Sequence, residues 1–147
     1  MIKCILINSI KNDYVPEVSL FEKWVSALEY ADNAEITIKI TTEEEMRNYN
    51  MLYRNQDKVS DTLSFPSDNL KIDNKIILGD IVMCANKINS DSYIFKKDNN
   101  ERWAHLTIHS VLHILGYNHD NLNNQKNMEK KEIDILKKFN IFNPYEI

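Results

Sequence analysis

All four histidines of the chain fall within residues 105–119, His-Leu-Thr-Ile-His-Ser-Val-Leu-His-Ile-Leu-Gly-Tyr-Asn-His. On a helix, His109 and His113 stand four residues apart, so their rings lie about 40° apart on one face, one turn above the other. Two imidazoles so placed chelate a metal ion. Gly116 comes where such a helix would stop, because glycine takes the left-handed conformation of a helix C-terminus without steric penalty. The turn it makes can deliver His119 as a third ligand. Three imidazoles with no cysteine or carboxylate among them match the donor set of a catalytic zinc site, which keeps its fourth position for water. Imidazole suits nickel as well, so the expectation is one zinc ion, with nickel as the other option. The alternative, core histidines with hydrogen-bonded ring nitrogens, is outweighed by their spacing around a glycine turn.

The pattern His-x3-His-x2-Gly-x2-His is also that of metzincin proteases, which carry Glu directly after the first histidine. Here that residue is Ser110, so their general base is missing. His105 lies one turn before His109 on the same face. Its Cα would be about 12 Å from that of His113, too far for residues 105, 109 and 113 to share one ion. It reads either as a group that supports a ligand or touches substrate, or as a satisfied core histidine.

The elements that must position this stretch follow from hydropathy patterns. Residues 2–8 read as a first strand, and Leu20, Phe21, Trp24, Val25 and Leu28 predict an amphipathic helix over about 16–31, starting at Pro16. Ile36, Ile38 and Ile40 alternate with polar residues in a strand over 35–41, after which Thr42 and Glu45 supply a capping box for a short helix. Thr62 to Phe65 reads as a strand closed by Pro66, with a loop or hairpin connection over 67–75. A strand over 76–84 is interrupted by Gly79, which signals a bulge or a close backbone approach. Asp80 beside it either orients a ligand histidine or, as the slightly favoured reading, bonds free amides at the bulge. A weaker helix over 85–96 precedes the histidine helix, for which Asp98 and Glu101 form a capping box. Apolar residues on all sides of the histidine helix predict burial, where an unpaired imidazole is costly. The last helix, about 122–139, mixes lysines 126, 130, 131, 137 and 138 with Glu129, Glu132 and Asp134, which reads as a solvated face.

Composition bounds the rest. At 147 residues and 43% hydrophobic content the chain fits one folded domain, expected over 1–147. The apolar run at the N-terminus is too short for a signal peptide and none approaches a membrane span, so a cytoplasmic protein is expected. Cys4 and Cys84 are distant and lie in apolar runs, as buried free thiols do. Two glycines, Gly79 and Gly116, exclude the phosphate-binding glycine loops. A net charge of −4 argues against broad electrostatic coating of nucleic acid, so any such contact would have to be local.

Two further stretches carry a resemblance: residues 52–66, Leu-Tyr-Arg-Asn-Gln-Asp-Lys-Val-Ser-Asp-Thr-Leu-Ser-Phe-Pro, and residues 78–84, Leu-Gly-Asp-Ile-Val-Met-Cys. With the histidine stretch, and with Met128 and Glu132 downstream, the chain resembles the YbeY family of bacterial metal-dependent endoribonucleases. The resemblance implies that His109, His113 and His119 bind zinc and that Arg54 stands near the active-site cleft, making Arg54 and His109 the expected catalytic residues. A guanidinium there can grip a phosphate through paired hydrogen bonds; the alternative is a salt bridge to Asp57 or Asp61. Departures from the family pattern are Gln56 for Lys, Ser60 for Thr, Ser110 for Gly and Asn118 for Asp. The last removes a carboxylate beside the metal and leaves Asp120 as the nearer acid.

The expected fold is a single α+β domain, a mixed sheet of about four strands packed with helices, with the histidine helix central. The expected function is single-strand-specific RNA hydrolysis in rRNA maturation at the small-subunit 3′ end, and in ribosome quality control. Single-stranded rRNA and the small ribosomal subunit would be the partners, with no membrane contact. Asp120, Asp80 and His105 are the candidates for a general base. A peptidase-like zinc hydrolase and a non-catalytic ribosome-assembly factor are the competing readings.

Overall fold

In the computed structural model, which describes residues 1–146, the element order is βαβαββααα. Ile147, the last residue of the expected domain, lies outside the described residues. The strands are β1 (Ile2–Ile7), β2 (Ala34–Thr41), β3 (Thr62–Ile72) and β4 (Lys75–Cys84). The helices are α1 (Val18–Ser26), α2 (Glu43–Arg54), α3 (Ala85–Ile94), α4 (Asn99–Ile114) and α5 (Leu122–Lys137). The four strands make one mixed sheet in the order β1-β2-β4-β3, in which β1, β2 and β4 run parallel and β3 pairs antiparallel with β4. The expected α+β class and four-stranded mixed sheet are those observed.

The two faces of the sheet are covered unequally because side chains alternate along a strand. Ile81 and Met83 of β4 face a large core shared with α1, α4 and α5, whereas Val82 and Cys84 face a small one under α2 with Met46 and Leu63. The histidine helix α4 lies within the large core and touches α1, α3, α5, β3 and β4. Its Trp103 is wholly buried and donates its indole N–H to Asn89 Oδ1 at 2.8 Å. Burying such a side chain contributes about 1.5–3 kcal/mol or more, so this helix is a rigid support.

Two elements differ from the pattern the sequence suggests. The first helix ends at Ser26 rather than near 31, its last turn tightening into the bonds Ala27 N–H to Trp24 O (3.3 Å) and Leu28 N–H to Val25 O (3.1 Å). Leu28 is still buried, so the apolar stripe outlasts the helix. Pro66 does not close β3. That strand is an edge, where a missing N–H leaves no ladder bond unmade; the pairing slips after Pro66, resumes at Leu70 and runs to Ile72. Asp73 (φ 50°) and Asn74 (φ 64°) then make a two-residue turn of the kind that suits the twist of a hairpin.

Gly79 sits at a bulge: Glu35 opposes Ile77 and Ile36 opposes Gly79, so Leu78 is the extra residue. A Cβ on Gly79 would lie 2.4 Å from the Phe65 carbonyl oxygen, and its φ is +151°, so both strand geometry and space demand glycine.

Candidate metal centre

α4 is started by Asp98, whose side chain accepts the Glu101 N–H at 3.0 Å, and is ended by the glycine turn. Tyr117 N–H bonds Leu112 O at 3.0 Å and Gly116 N–H bonds His113 O at 3.0 Å, the paired bonds of a Schellman motif, with Gly116 at φ +106°. This turn folds His119 back over the helix. Its ring centroid lies 4.6 Å from that of His113 and 5.4 Å from that of His109. One nitrogen from each of His109, His113 and His119 falls within 4.8 Å of the others.

These donors fit a metal ion. Nitrogens bound to a tetrahedral zinc with bonds of 2.0–2.1 Å stand about 3.3 Å apart, within the spread found here. His113 Nε2 and His119 Nε2 face each other at 2.9 Å, with no other polar partner for either nitrogen among the described residues. Burial, and then the neighbouring His109 and His119, hold the pKa of His113 below its ordinary value, which favours the neutral form that binds metals.

A residue from the last helix completes the arrangement. Glu132 is fully buried and accepts from His109 Nδ1 at 2.6 Å through Oε1 and from His105 Nε2 at 2.8 Å through Oε2. The Tyr145 hydroxyl also donates to Oε2. Burial alone would raise the pKa of this carboxyl, but the hydrogen bonds from His105, His109 and Tyr145 outweigh it and bring it down to about 2. An ionised Glu132 keeps the proton of His109 on Nδ1, leaving Nε2 as the lone pair for a metal. His105 is therefore linked to His109 through the shared carboxylate. Its other nitrogen, Nδ1, lies 3.4 Å from Arg102 Nη1, and Arg102 Nη2 donates to Asp61 Oδ2 at 3.2 Å. A continuous polar chain thus runs from Asp61 in the loop before β3 to the histidine cluster.

Glu132 is not part of a solvated face, as its charged neighbours suggest. It occupies the apolar stripe of α5 with Met128, Ile135 and Leu136, all buried, and that spacing is the signal in the sequence that marks it. Asp80 does not orient a histidine. It is exposed and makes no side-chain hydrogen bond among the described residues, so neither role expected for it is observed. Asn118 Oδ1 accepts from Asn124 Nδ2 at 2.9 Å and from Asp120 N–H at 3.3 Å, making it a turn residue, while Asp120 itself is exposed.

His109, His113 and His119 form one wall of a cleft of about 480 Å³, and Arg54, Gln56 and Lys58 lie on another. Arg54 ends α2, where Asn55 adopts φ 52°. The buried Asn50 fixes the following loop, donating to Lys58 O at 2.9 Å and Ser60 Oγ at 3.1 Å. Both aspartates that could have paired with Arg54 are taken: Asp57 by Arg47 at 3.2 Å and Asp61 by Arg102 at 3.2 Å. Among the described residues Arg54 makes no ion pair, and its guanidinium is exposed toward the cleft. Ser110, where a metzincin has its glutamate, is buried and its Oγ has no partner. Neither Asp80, Asp120 nor His105 lines the cleft.

Comparison with known proteins places the chain in a family. Residues 9–140 match the model of the family described as endoribonuclease YbeY. A protein of that name from Buchnera aphidicola subsp. Cinara cedri is 41% identical over 138 residues, covering 92% of this chain and 88% of its own. Another from Alteromonas mediterranea is 36% identical over 138 residues, covering 90% and 85%. The solution structure of a Thermotoga maritima protein superposes with a TM-score of 0.61 at 21% identity, covering 92% of this chain and 88% of that one, and so shares the fold. The chain belongs to the endoribonuclease YbeY family.

Proposed function

We propose that this chain cuts single-stranded RNA in a metal-dependent hydrolysis, with a zinc ion held by His109, His113 and His119, and that it acts on small-subunit rRNA near its 3′ end. The observation that carries this reading is an arginine with no ion pair among the described residues, sharing one cleft with three convergent imidazoles. When bound, zinc supplies Lewis acidity, polarising a phosphoryl oxygen or lowering the pKa of water toward about 7. Arg54 grips the scissile phosphate through paired N–H donors and stabilises the charge that grows on its oxygens during attack. Glu132 holds His109 in the tautomer that leaves Nε2 free. Among the described residues, the acid lining the cleft is Asp61, and both its oxygens are engaged, Oδ1 by the Thr62 N–H at 2.7 Å and Oδ2 by Arg102. Charge stabilisation by Arg54 therefore carries more of this reading than proton abstraction by a side-chain base.

The place of action follows as part of the same proposal: the small ribosomal subunit and the quality control of ribosomes, in the cytoplasm. Among the described residues no helix is long and apolar enough to cross a membrane.

The test is cleavage of a single-stranded small-subunit rRNA precursor by the zinc-loaded protein, alongside Arg54→Ala and His113→Ala purified identically. Arg54→Ala is expected to keep its fold and its metal while cleavage falls roughly 10²–10³-fold, the scale of losing one charge-stabilising donor. Equal activity in all three preparations would sink the proposal by revealing a contaminating nuclease. An inactive wild-type protein that binds the small subunit would favour an assembly factor instead.

A further inference from the structure

The family match ends at residue 140, yet the chain beyond it reaches the metal centre. Asn140 takes φ 58° and Ile141 N–H bonds back to Leu136 O at 3.1 Å, so α5 is followed by a sharp reversal. The tail then returns along α5 and brings Tyr145 to Glu132, 13 residues earlier in the chain. The Asn143 side chain supports this return, its Oδ1 accepting the Tyr145 N–H at 2.8 Å. The Tyr145 ring stands edge-on to His105, with centroids 5.3 Å apart, and its hydroxyl lies 3.2 Å from His105 Nε2.

We infer that Tyr145 is a positioning residue of the metal centre, acting on His109 through the carboxylate of Glu132. Oε2 of that carboxylate faces two donors, His105 Nε2 and the Tyr145 hydroxyl, while among the described residues Oε1 faces only His109. With Oε2 held from two directions, the carboxylate plane is fixed, and with it the direction in which the His109 ring is gripped. Burial and the adjacent Glu132 raise the pKa of Tyr145, so its hydroxyl stays a donor. Ile141 packs against the large core, and the tail from Ile141 to Pro144 lines a cavity of about 340 Å³ together with Arg102 and His105. Phe142 is 73% exposed. The hydroxyl of Tyr145 thus joins the tail to the carboxylate and clamps it.

This inference rests on His109 being a metal ligand, and its test separates the two. Zn²⁺ affinity is measured by competition with a chromophoric chelator, and coordination by the visible absorption of the Co²⁺-loaded protein, for wild type, Tyr145→Phe, Phe142→Ala and His113→Ala. A wild-type protein that binds neither ion, or a His113→Ala variant that binds as well as wild type, defeats the metal reading itself. If wild type binds one ion, Tyr145→Phe is expected to bind it about tenfold more weakly, at the lower end of losses for partners behind a ligand, with shifted Co²⁺ bands. Phe142→Ala disturbs the tail but keeps the hydroxyl, and is expected to match wild type in both. Unchanged affinity and spectrum in Tyr145→Phe would overturn the inference, as would an equal change in Phe142→Ala, which would assign the effect to tail packing.

Discussion

Among the described residues, two groups of three side chains have the composition of a metal site, and they share His109. One is His109, His113 and His119; the other is His105, His109 and Glu132. They differ in how their polar atoms are used. In the second group the carboxylate is fully buried and takes hydrogen bonds from two imidazoles and a phenol. An ion placed there would have to displace the protons of His105 Nε2 and His109 Nδ1 and break the link to the tail. In the first group His113 and His119 offer their nitrogens to each other across 2.9 Å at the edge of an open cleft. One proton shared between two imidazoles is all an ion must replace. Residue type therefore does not decide where a metal goes; the saturation of hydrogen bonds does, and His109 serves both groups because its two nitrogens face opposite ways.

The largest test of this contrast removes one histidine from each group. His113→Ala is expected to lose nearly all zinc at micromolar protein, since two remaining imidazoles do not complete the site. His105→Ala is expected to keep one ion per chain, because it takes away only a support of Glu132. Metal content by atomic absorption after gel filtration reads both. Equal loss in the two variants would erase the distinction between an open and a closed group.

Next in size is Glu132→Gln, which conserves volume but offers one oxygen and two N–H donors where the structure needs two oxygens. Either His105 or His109 must then change tautomer or face a donor with a donor. If His109 changes, its proton moves to Nε2, the atom that would bind the proposed metal. Zinc affinity is expected to fall roughly 10–100-fold. Stability is expected to drop by about 1.5–3 kcal/mol, the range for hydrogen bonds to a charged group. Chelator competition and urea denaturation measure the two effects separately. A fully stable variant with unchanged affinity would mean that the buried carboxylate is an ordinary core group.

The same contrast explains what could be read from the sequence. The open group is local: a four-residue spacing and one glycine define a helix face and a turn, so His109, His113 and His119 could be named from spacing. The closed group is not. Glu132 lies 23 and 27 residues from the histidines it holds, among lysines that make α5 look solvated, and only its register with Met128 and Leu136 points inward. For Asp80 the bulge suggests either a histidine partner or, slightly favoured, a bond to free amides, but the bulge at Leu78 leaves it facing solvent. Likewise Pro66 ends a strand only where an N–H is needed, and the edge position of β3 cannot be known before strand order is. The freedom of Arg54 was equally hidden, because it depends on Arg47 and Arg102 having claimed Asp57 and Asp61 first.

The smallest expected effect concerns charge on the open side. The chain carries a net charge of −4, which repels a polyanion at long range, yet the cleft presents Arg54 and Lys58 on one wall while its Asp61 is neutralised by Arg102. Lys58 makes no ion pair among the described residues, and Asn50 fixes its backbone carbonyl at 2.9 Å. Gln56, the residue that stands where a family lysine is usual, lines the same cleft. On the proposed reading, Lys58, two residues further on, would offer a cation to a phosphate beside the one Arg54 would hold. A lysine acting as a point charge on one phosphate releases about one counterion. Lys58→Gln is therefore expected to flatten the dependence of log affinity on log salt for single-stranded RNA by about 0.7, with metal content untouched. Gln56→Lys should steepen it by a similar amount. If the slope stayed the same in both variants, the acidic domain would have to hold RNA by contacts outside this cleft, and the open group would owe its role to the metal and Arg54 alone.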